Sequence, residues 1–326
     1  MKIANRMETL SPSVTMAITA LGRELKAQGK DILSFSAGEP DFDTPEIIKQ
    51  AAIKAINDGQ TKYTAVEGII ATKQAIINKL KKDHGLEYKL DGIVISNGAK
   101  HSLFNLFQVL IEEGDEVIIP APYWVTYPEQ VKFSDGVPVF IETDDSTDFK
   151  ITAEQLKAVI TPKTKILLLN TPSNPTGSVY SKEELLSLGE VLKGTDIIVL
   201  SDEMYEKIMY NGKKFTAAAE VSEDMYKRTV TINGLSKAVA MTGWRFGYIA
   251  TCDAALAKAM TKLQGQVTSN INTMTQYAAI PALEGDADET IEMMRVEFEK
   301  RKNIAVASFN DIKSLSTIDP DGAFYL

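Results

Sequence analysis

Thr229-Val230-Thr231-Ile232-Asn233-Gly234-Leu235-Ser236-Lys237-Ala238-Val239-Ala240-Met241-Thr242-Gly243-Trp244-Arg245-Phe246-Gly247-Tyr248 is the stretch whose reading decides the rest of the chain. Its first four residues are a β-branched run that reads as a strand, and Gly234 breaks the pattern. Lys237 then follows among small and apolar residues. An ammonium in such a pocket loses hydration, so its neutral, nucleophilic form becomes accessible. That is the condition for Schiff-base chemistry with a carbonyl. The plain alternative is a surface lysine between two strands, and the surrounding motifs weigh against it.

Upstream, the chain alternates β-rich runs with helical patterns. Ile93-Val94-Ile95-Ser96-Asn97 leads through Gly98-Ala99-Lys100 into a helix beginning near Ser102. Backbone N–H groups at such a turn form a ready anion site. It lacks the Gly-Lys-Ser/Thr of a phosphate-binding loop and the glycine spacing of a dinucleotide fold. Further strands are expected at Glu116–Ile119, Val137–Phe140, Lys165–Leu169 and Asp196–Leu200. The last two are continuous apolar runs, which suit strands buried on both faces of a parallel sheet. The whole predicts a doubly wound α/β fold with a mostly parallel sheet. Ligands in such sheets sit at the carboxyl ends of the strands, and those ends here carry Tyr123-Trp124, Asn170 to Gly177, and Ser201 to Tyr205.

Toward the N-terminus, apolar spacing predicts a helix over Ser11–Gln28 and a short strand at Ile32–Phe35. A helix is expected from Pro45 to about Asn57, capped by Thr44, and another over Gly68–Lys82. Toward the C-terminus, a long amphipathic helix is expected from Asp288 to about Asp311, then a strand at Gly322–Leu326.

Composition excludes several functions. The chain has 326 residues, 44% apolar and 24% charged, with a net charge of −9. That balance speaks against nucleic acid and anionic membranes as partners. No apolar run reaches a bilayer span and the start lacks a signal-peptide core. A single cysteine, Cys252, permits no intrachain disulfide and points to a reducing, cytoplasmic setting. No metal site is suggested, and His84 and His101 are given no role.

Four motifs occur in order: Ala37-Gly38-Glu39-Pro40-Asp41-Phe42, Asn174-Pro175-Thr176-Gly177, Ser201-Asp202-Glu203-Met204-Tyr205, and Ser236-Lys237 with Gly243-Trp244-Arg245-Phe246-Gly247. On these, from Leu33 to Leu326, the chain resembles the class I aminotransferases, fold-type-I enzymes using pyridoxal 5'-phosphate, and within them the bacterial aspartate aminotransferases. The resemblance implies that Lys237 is the catalytic lysine. It implies that Asp202 keeps the pyridine nitrogen protonated and that Asn174 and Tyr205 bond the ring's phenolic oxygen. Trp124 would stack on the ring. Gly98, Ala99, Lys100, Ser236 and Arg245 would hold the phosphate, with Tyr63 reaching it from the partner of a homodimer. Substrate would meet Gly38 through its backbone, and Trp124, Asn174 and Lys100. By residue type alone, Asp202 could be a helix cap, Asn174 a turn former, Trp124 core and Lys100 a solvated lysine.

The implied activity is transfer of the amino group of aspartate or a related amino acid to 2-oxoglutarate. The alternatives are a lyase or synthase of the same fold, or a cofactor-binding but catalytically weak fragment. The expected division is a large cofactor-binding domain over 44–285 and a small α+β domain from 1–43 plus 286–326. Family members continue past the position of Leu326, and the arginine for the substrate α-carboxylate lies in that continuation, so the small domain is expected to be incomplete. The Asn174–Pro175 bond is expected to be cis.

Overall fold

The alternating strand and helix patterns form one seven-stranded sheet in a computed structural model that describes residues 1–12, 14–35 and 38–326, Met16 by its backbone only. Ser13, Ser36 and Ala37 lie outside the described residues, so the first residue of the Ala37–Phe42 motif is not placed. The strands are β1 (Ile93–Asn97), β2 (Glu116–Ala121), β3 (Val137–Glu142), β4 (Thr164–Asn170), β5 (Ile198–Asp202), β6 (Thr229–Gly234) and β7 (Phe246–Ala250). Their order across the sheet is β1-β7-β6-β5-β4-β2-β3. β7 runs antiparallel to both neighbours, and the other pairings are parallel.

The apolar runs explain this sheet. In β4, Ile166 and Leu168 enter one core while Leu167 and Leu169 enter another on the opposite face. In β1, Val94 and the pair Ile93 and Ile95 divide the same way. A strand buried on both faces needs apolar residues at every position, because successive side chains point to opposite sides. Truncating Leu167 to Ala would cost about 2–5 kcal/mol, the usual range for a fully buried leucine.

The helices that cover the faces are α1 (Val14–Ala27), α2 (Glu46–Asn57), α3 (Ile70–His84), α4 (Ala99–Leu110), α5 (Thr126–Phe133), α6 (Ala153–Val159), α7 (Lys182–Leu192), α8 (Glu223–Arg228), α9 (Ala254–Val267), α10 (Thr273–Glu284) and α11 (Asp288–Asn310). α4 lays Leu103, Leu106 and Phe107 on one face of the sheet, and α3 lays Ile76 and Leu80 on the other. Among the described residues, no helix is long and apolar enough to cross a membrane.

Three local expectations are corrected. Ile32–Phe35 is not a strand: it joins no ladder among the described residues, and Leu33 and Phe35 are exposed. A β-rich run becomes a strand only where a neighbour accepts its backbone bonds. Gly322–Leu326 makes only an isolated bridge, Met209 with Gly322, and Ala323 sits at φ 57°, which ends any extended run. Thr44 does not cap α2, since Pro45 holds that position. Thr44 Oγ1 instead donates to the Ala240 carbonyl at 2.8 Å and accepts from Trp244 Nε1 at 3.1 Å. The expected cis Asn174–Pro175 bond is present, together with cis Ala121–Pro122 and Thr171–Pro172.

α11 gathers two distant segments. Phe298 packs edge-on against Phe42 at 5.3 Å and, with its ring tilted, against Phe324 at 5.3 Å. Arg301 pairs with Asp41 at 2.8 Å and lies over the Phe42 ring. Arg295 is committed to Glu292 and Glu299, each at 2.7 Å.

Candidate active site

The carboxyl ends of the parallel strands carry the predicted residues to one side of the sheet. β5 ends in Asp202, and the chain turns at once through Glu203, Met204 and Tyr205. β4 ends in Asn170, whose Oδ1 accepts from the Asn174 amide at 2.7 Å and holds the Asn174-Pro175 turn. β6 ends at Gly234, and Ser236 and Lys237 follow in the turn beyond it.

Lys237 Nζ donates to the Gly38 carbonyl. It also stands 5.9 Å from the Tyr205 ring centre and 5.6 Å from that of Phe324. Burial pulls its ammonium down to about 8, with Glu39 opposing that shift and Arg245 adding to it. A substantial neutral fraction near physiological pH makes it a usable nucleophile and base.

Asp202 is 4% exposed. Burial raises its carboxyl to about 6, against the pull of hydrogen bonds from Tyr127 and the Met204 amide and of the Lys237 charge. The Tyr127 hydroxyl donates to Oδ2 at 2.8 Å and the Met204 amide to Oδ1 at 3.3 Å. A buried carboxylate with one strong donor stabilises a positive charge placed against it.

Trp124 stands edge-on to Tyr127, 5.3 Å between ring centres, and Lys100 Nζ lies 4.8 Å from the Trp124 ring centre. The Lys100 pKa is lowered, first by burial and then by the Arg245 charge. Gly98, at φ 81°, precedes α4, and a side chain there would collide with the Arg245 guanidinium. Gly247 in β7 equally leaves no room for a Cβ against the Gly98–Ala99 backbone. Arg245 is held by the Thr242 carbonyl at 2.8 Å and reaches the Asn97 carbonyl at 3.4 Å. Guanidinium, ammonium and the first amides of α4 therefore stand together as anion donors. Ser236 is buried beside Lys237 in sequence. Tyr63 is 89% exposed and joins none of these groups within the chain.

Two residues were not legible as site residues. Tyr127 lies in α5, where it reads as core. Tyr325 brings its hydroxyl to 2.6 Å from that of Tyr205 and 3.2 Å from Asn174 Nδ2. An aromatic pair after Gly322 was the only signal for it.

The donor set fits pyridoxal 5'-phosphate group by group: an amine for the aldehyde, a buried carboxylate for the ring nitrogen, an indole beside it, and a cationic turn for the phosphate. The Gly98 position, where only hydrogen clears the guanidinium, is a cradle of the kind a phosphate requires.

The family model "Aminotransferase class I and II" matches residues 30–326. "Aspartate aminotransferase" of Bacillus sp. (strain YM-2) is 51% identical over 324 residues, covering 99% of this chain and 82% of that one. "Probable aspartate/prephenate aminotransferase" of Rickettsia bellii is 47% identical, covering 99% and 81%. Among solved structures, aspartate aminotransferase from Rhizobium meliloti superposes with a TM-score of 0.95 at 42% identity, covering 99% and 80%. The Thermus thermophilus aspartate aminotransferase with maleate gives 0.95 at 38%, covering 99% and 84%.

Proposed function

Because this chain belongs to the class I and II aminotransferase family, we propose that it moves the amino group of aspartate or a related amino acid to 2-oxoglutarate, with pyridoxal 5'-phosphate as cofactor. The observation that carries this reading is the placement of Lys237 and Asp202 at strand ends on one side of the sheet, with Asp202 buried and bonded by Tyr127 at 2.8 Å and Lys237 Nζ turned to the Gly38 carbonyl. Near neutral pH the lysine has a neutral fraction and the carboxyl is largely ionised.

Bound, the cofactor supplies an aldehyde and an electron-accepting pyridine ring. Lys237 Nζ would hold the cofactor through its aldehyde carbon and, once the substrate amine has displaced it as a free amine, would move the proton at the substrate α-carbon. Asp202, held ionised by Tyr127, would keep a proton on the ring nitrogen. Asn174 and Tyr205 would bond its phenolic oxygen, with Trp124 beside the ring. Gly98, Ala99, Lys100, Ser236 and Arg245 would hold the phosphate. Lys100 and the Gly38 backbone would receive the carboxylates of the substrate.

The working form is proposed to be a homodimer in which Tyr63 completes the partner's phosphate site. Supporting this, a cleft of about 810 Å³ runs beside Arg245 and Trp244 to Ile53 and Ile56, both exposed on α2. Exposed apolar surface beside a charged site suits a subunit contact. The proposed division is a large domain over 44–285 and a small one from 1–43 plus 286–326, in the cytoplasm.

The test is a panel of amino donors with 2-oxoglutarate, following glutamate formation. Aspartate is expected among the best donors. No glutamate from any donor would contradict the reading.

A further inference from the structure

The C-terminal segment returns to the strand-end residues Asn174 and Tyr205 along a defined path. The Tyr210 amide donates to the Asp321 carbonyl at 2.8 Å, the Gly322 amide to the Gly177 carbonyl at 3.0 Å, and the Ala323 amide to the Ile208 carbonyl at 3.0 Å. The Tyr210 hydroxyl donates to the Ala323 carbonyl. Ala323 is fully buried, and Phe324 packs on Tyr205 at 5.4 Å and on Phe298 at 5.3 Å. These contacts aim the next side chain, Tyr325, edge-on at the Tyr205 ring, 5.6 Å between centres.

The Tyr325 hydroxyl thus lands where three site elements converge. It is 2.6 Å from the Tyr205 hydroxyl, accepts from Asn174 Nδ2 at 3.2 Å, and lies 2.7 Å from where a Cβ on Gly38 would stand. Gly38 also offers the carbonyl that receives Lys237. Asn174 and Tyr205 are the two groups proposed above to bond the ring oxygen.

We propose that Tyr325 is a positioning residue of the active site, whose hydroxyl orients the Tyr205 proton and the Asn174 amide toward the ring oxygen of the cofactor. This rests on the site reading above. Each phenol has one proton. If Tyr325 donates to the Tyr205 oxygen, the Tyr205 proton is directed elsewhere and becomes a stronger donor, because chained hydrogen bonds polarise one another. With the ring oxygen as acceptor, Tyr325 therefore stabilises its anionic form through Tyr205. Desolvation raises both phenols, so both stay protonated and able to donate in the working pH range.

The experiment compares wild type, Tyr325→Phe and Tyr325→Leu by titrating the visible absorbance of the cofactor-loaded protein against pH, and by measuring cofactor affinity from protein fluorescence. Tyr325→Phe keeps the ring packing and removes only the hydroxyl. Its absorbance midpoint is expected about half a unit or more above wild type, with cofactor affinity within about threefold. Tyr325→Leu should show the same shift, with weaker affinity from lost packing. An unchanged midpoint in Tyr325→Phe would overturn the proposal and leave Tyr325 as packing alone. Failure of the wild type to take up the cofactor would overturn the site reading and this inference together.

Discussion

The Tyr127 hydroxyl donates to Asp202 Oδ2 at 2.8 Å across two buried side chains 75 positions apart in sequence. A hydrogen bond to the charged form of a carboxyl favours that form. Tyr127→Phe removes the donor, so the Asp202 carboxyl, already raised to about 6 by burial, should titrate higher. The acid limb of kcat/KM against pH is expected to move upward in this variant, and kcat/KM at pH 6 to fall by about tenfold or more, the size of one hydrogen bond to a charge. An acid limb in its wild-type place would show that the bond does not control Asp202.

Asp202→Asn keeps the shape and removes the charge. Leaving a buried positive partner without its carboxylate costs about 3–5 kcal/mol, or roughly 10²- to several-10³-fold in rate. The loss should fall on kcat, with cofactor still bound. Exchange of the substrate α-hydrogen for deuterium should fall in parallel, and near-wild-type exchange would count against the assignment.

Lys237 gives a second pH signature. Its pKa of about 8 arises first from burial, so its neutral fraction rises through that pH rather than through the usual lysine range near 10.4. The initial rate of cofactor attachment to the apoprotein should climb between pH 6.5 and 9.5 with a midpoint near 8. A midpoint near 10 would mean that the side chain is solvated when it reacts.

Glu206, in the turn that follows β5, bonds His84 Nε2 at 2.9 Å and also pairs with Lys79, while His84 Nδ1 bonds Glu220 at 3.1 Å. His84 is raised to about 9: burial opposes the shift, and Glu206 and Glu220 outweigh it. A raised folded pKa stabilises fully below the unfolded value of about 6.5 and loses that stability as pH climbs through about 9. Glu203, raised to about 7 by burial, adds a loss of stability as pH rises from about 4.5 to 7. Thermal midpoints should therefore decline from pH 6.5 to about 8, above which Lys237, whose folded pKa of about 8 lies below its unfolded value, offsets the His84 loss. His84→Gln should be less stable at pH 6.5 and show a flatter alkaline decline. An identical slope in the variant would remove His84 from this role.

The sequence carried the fold where residue type and burial coincide. β4 and β5 are legible as the continuous apolar runs that suit strands covered on both faces, and β6 as a β-branched run. β7 was not read as a strand: Gly247 and the motif around it mask a fully buried segment. Ile32–Phe35 and Gly322–Leu326 have strand-forming residues without a ladder to join, which no local pattern reveals. In the site, Lys237, Asp202 and Asn174 stand at strand ends that the alternation already marks. Tyr127 and Tyr325 depend on contacts across the fold, Tyr325 lying 120 positions from Tyr205 and 151 from Asn174. His84 was assigned no role because its partners, Glu206 and Glu220, are equally remote.

The central claim is that Lys237 is the residue that joins the cofactor. The direct measurement is borohydride reduction of the cofactor-loaded protein, followed by mass-spectrometric mapping of the modified peptide, on wild type and Lys237→Ala. Wild type should carry a single pyridoxyl-phosphate adduct on Lys237, while Lys237→Ala should carry none and lose turnover with a folded circular-dichroism spectrum. An adduct on another lysine in wild type, or an active Lys237→Ala variant, would contradict the account.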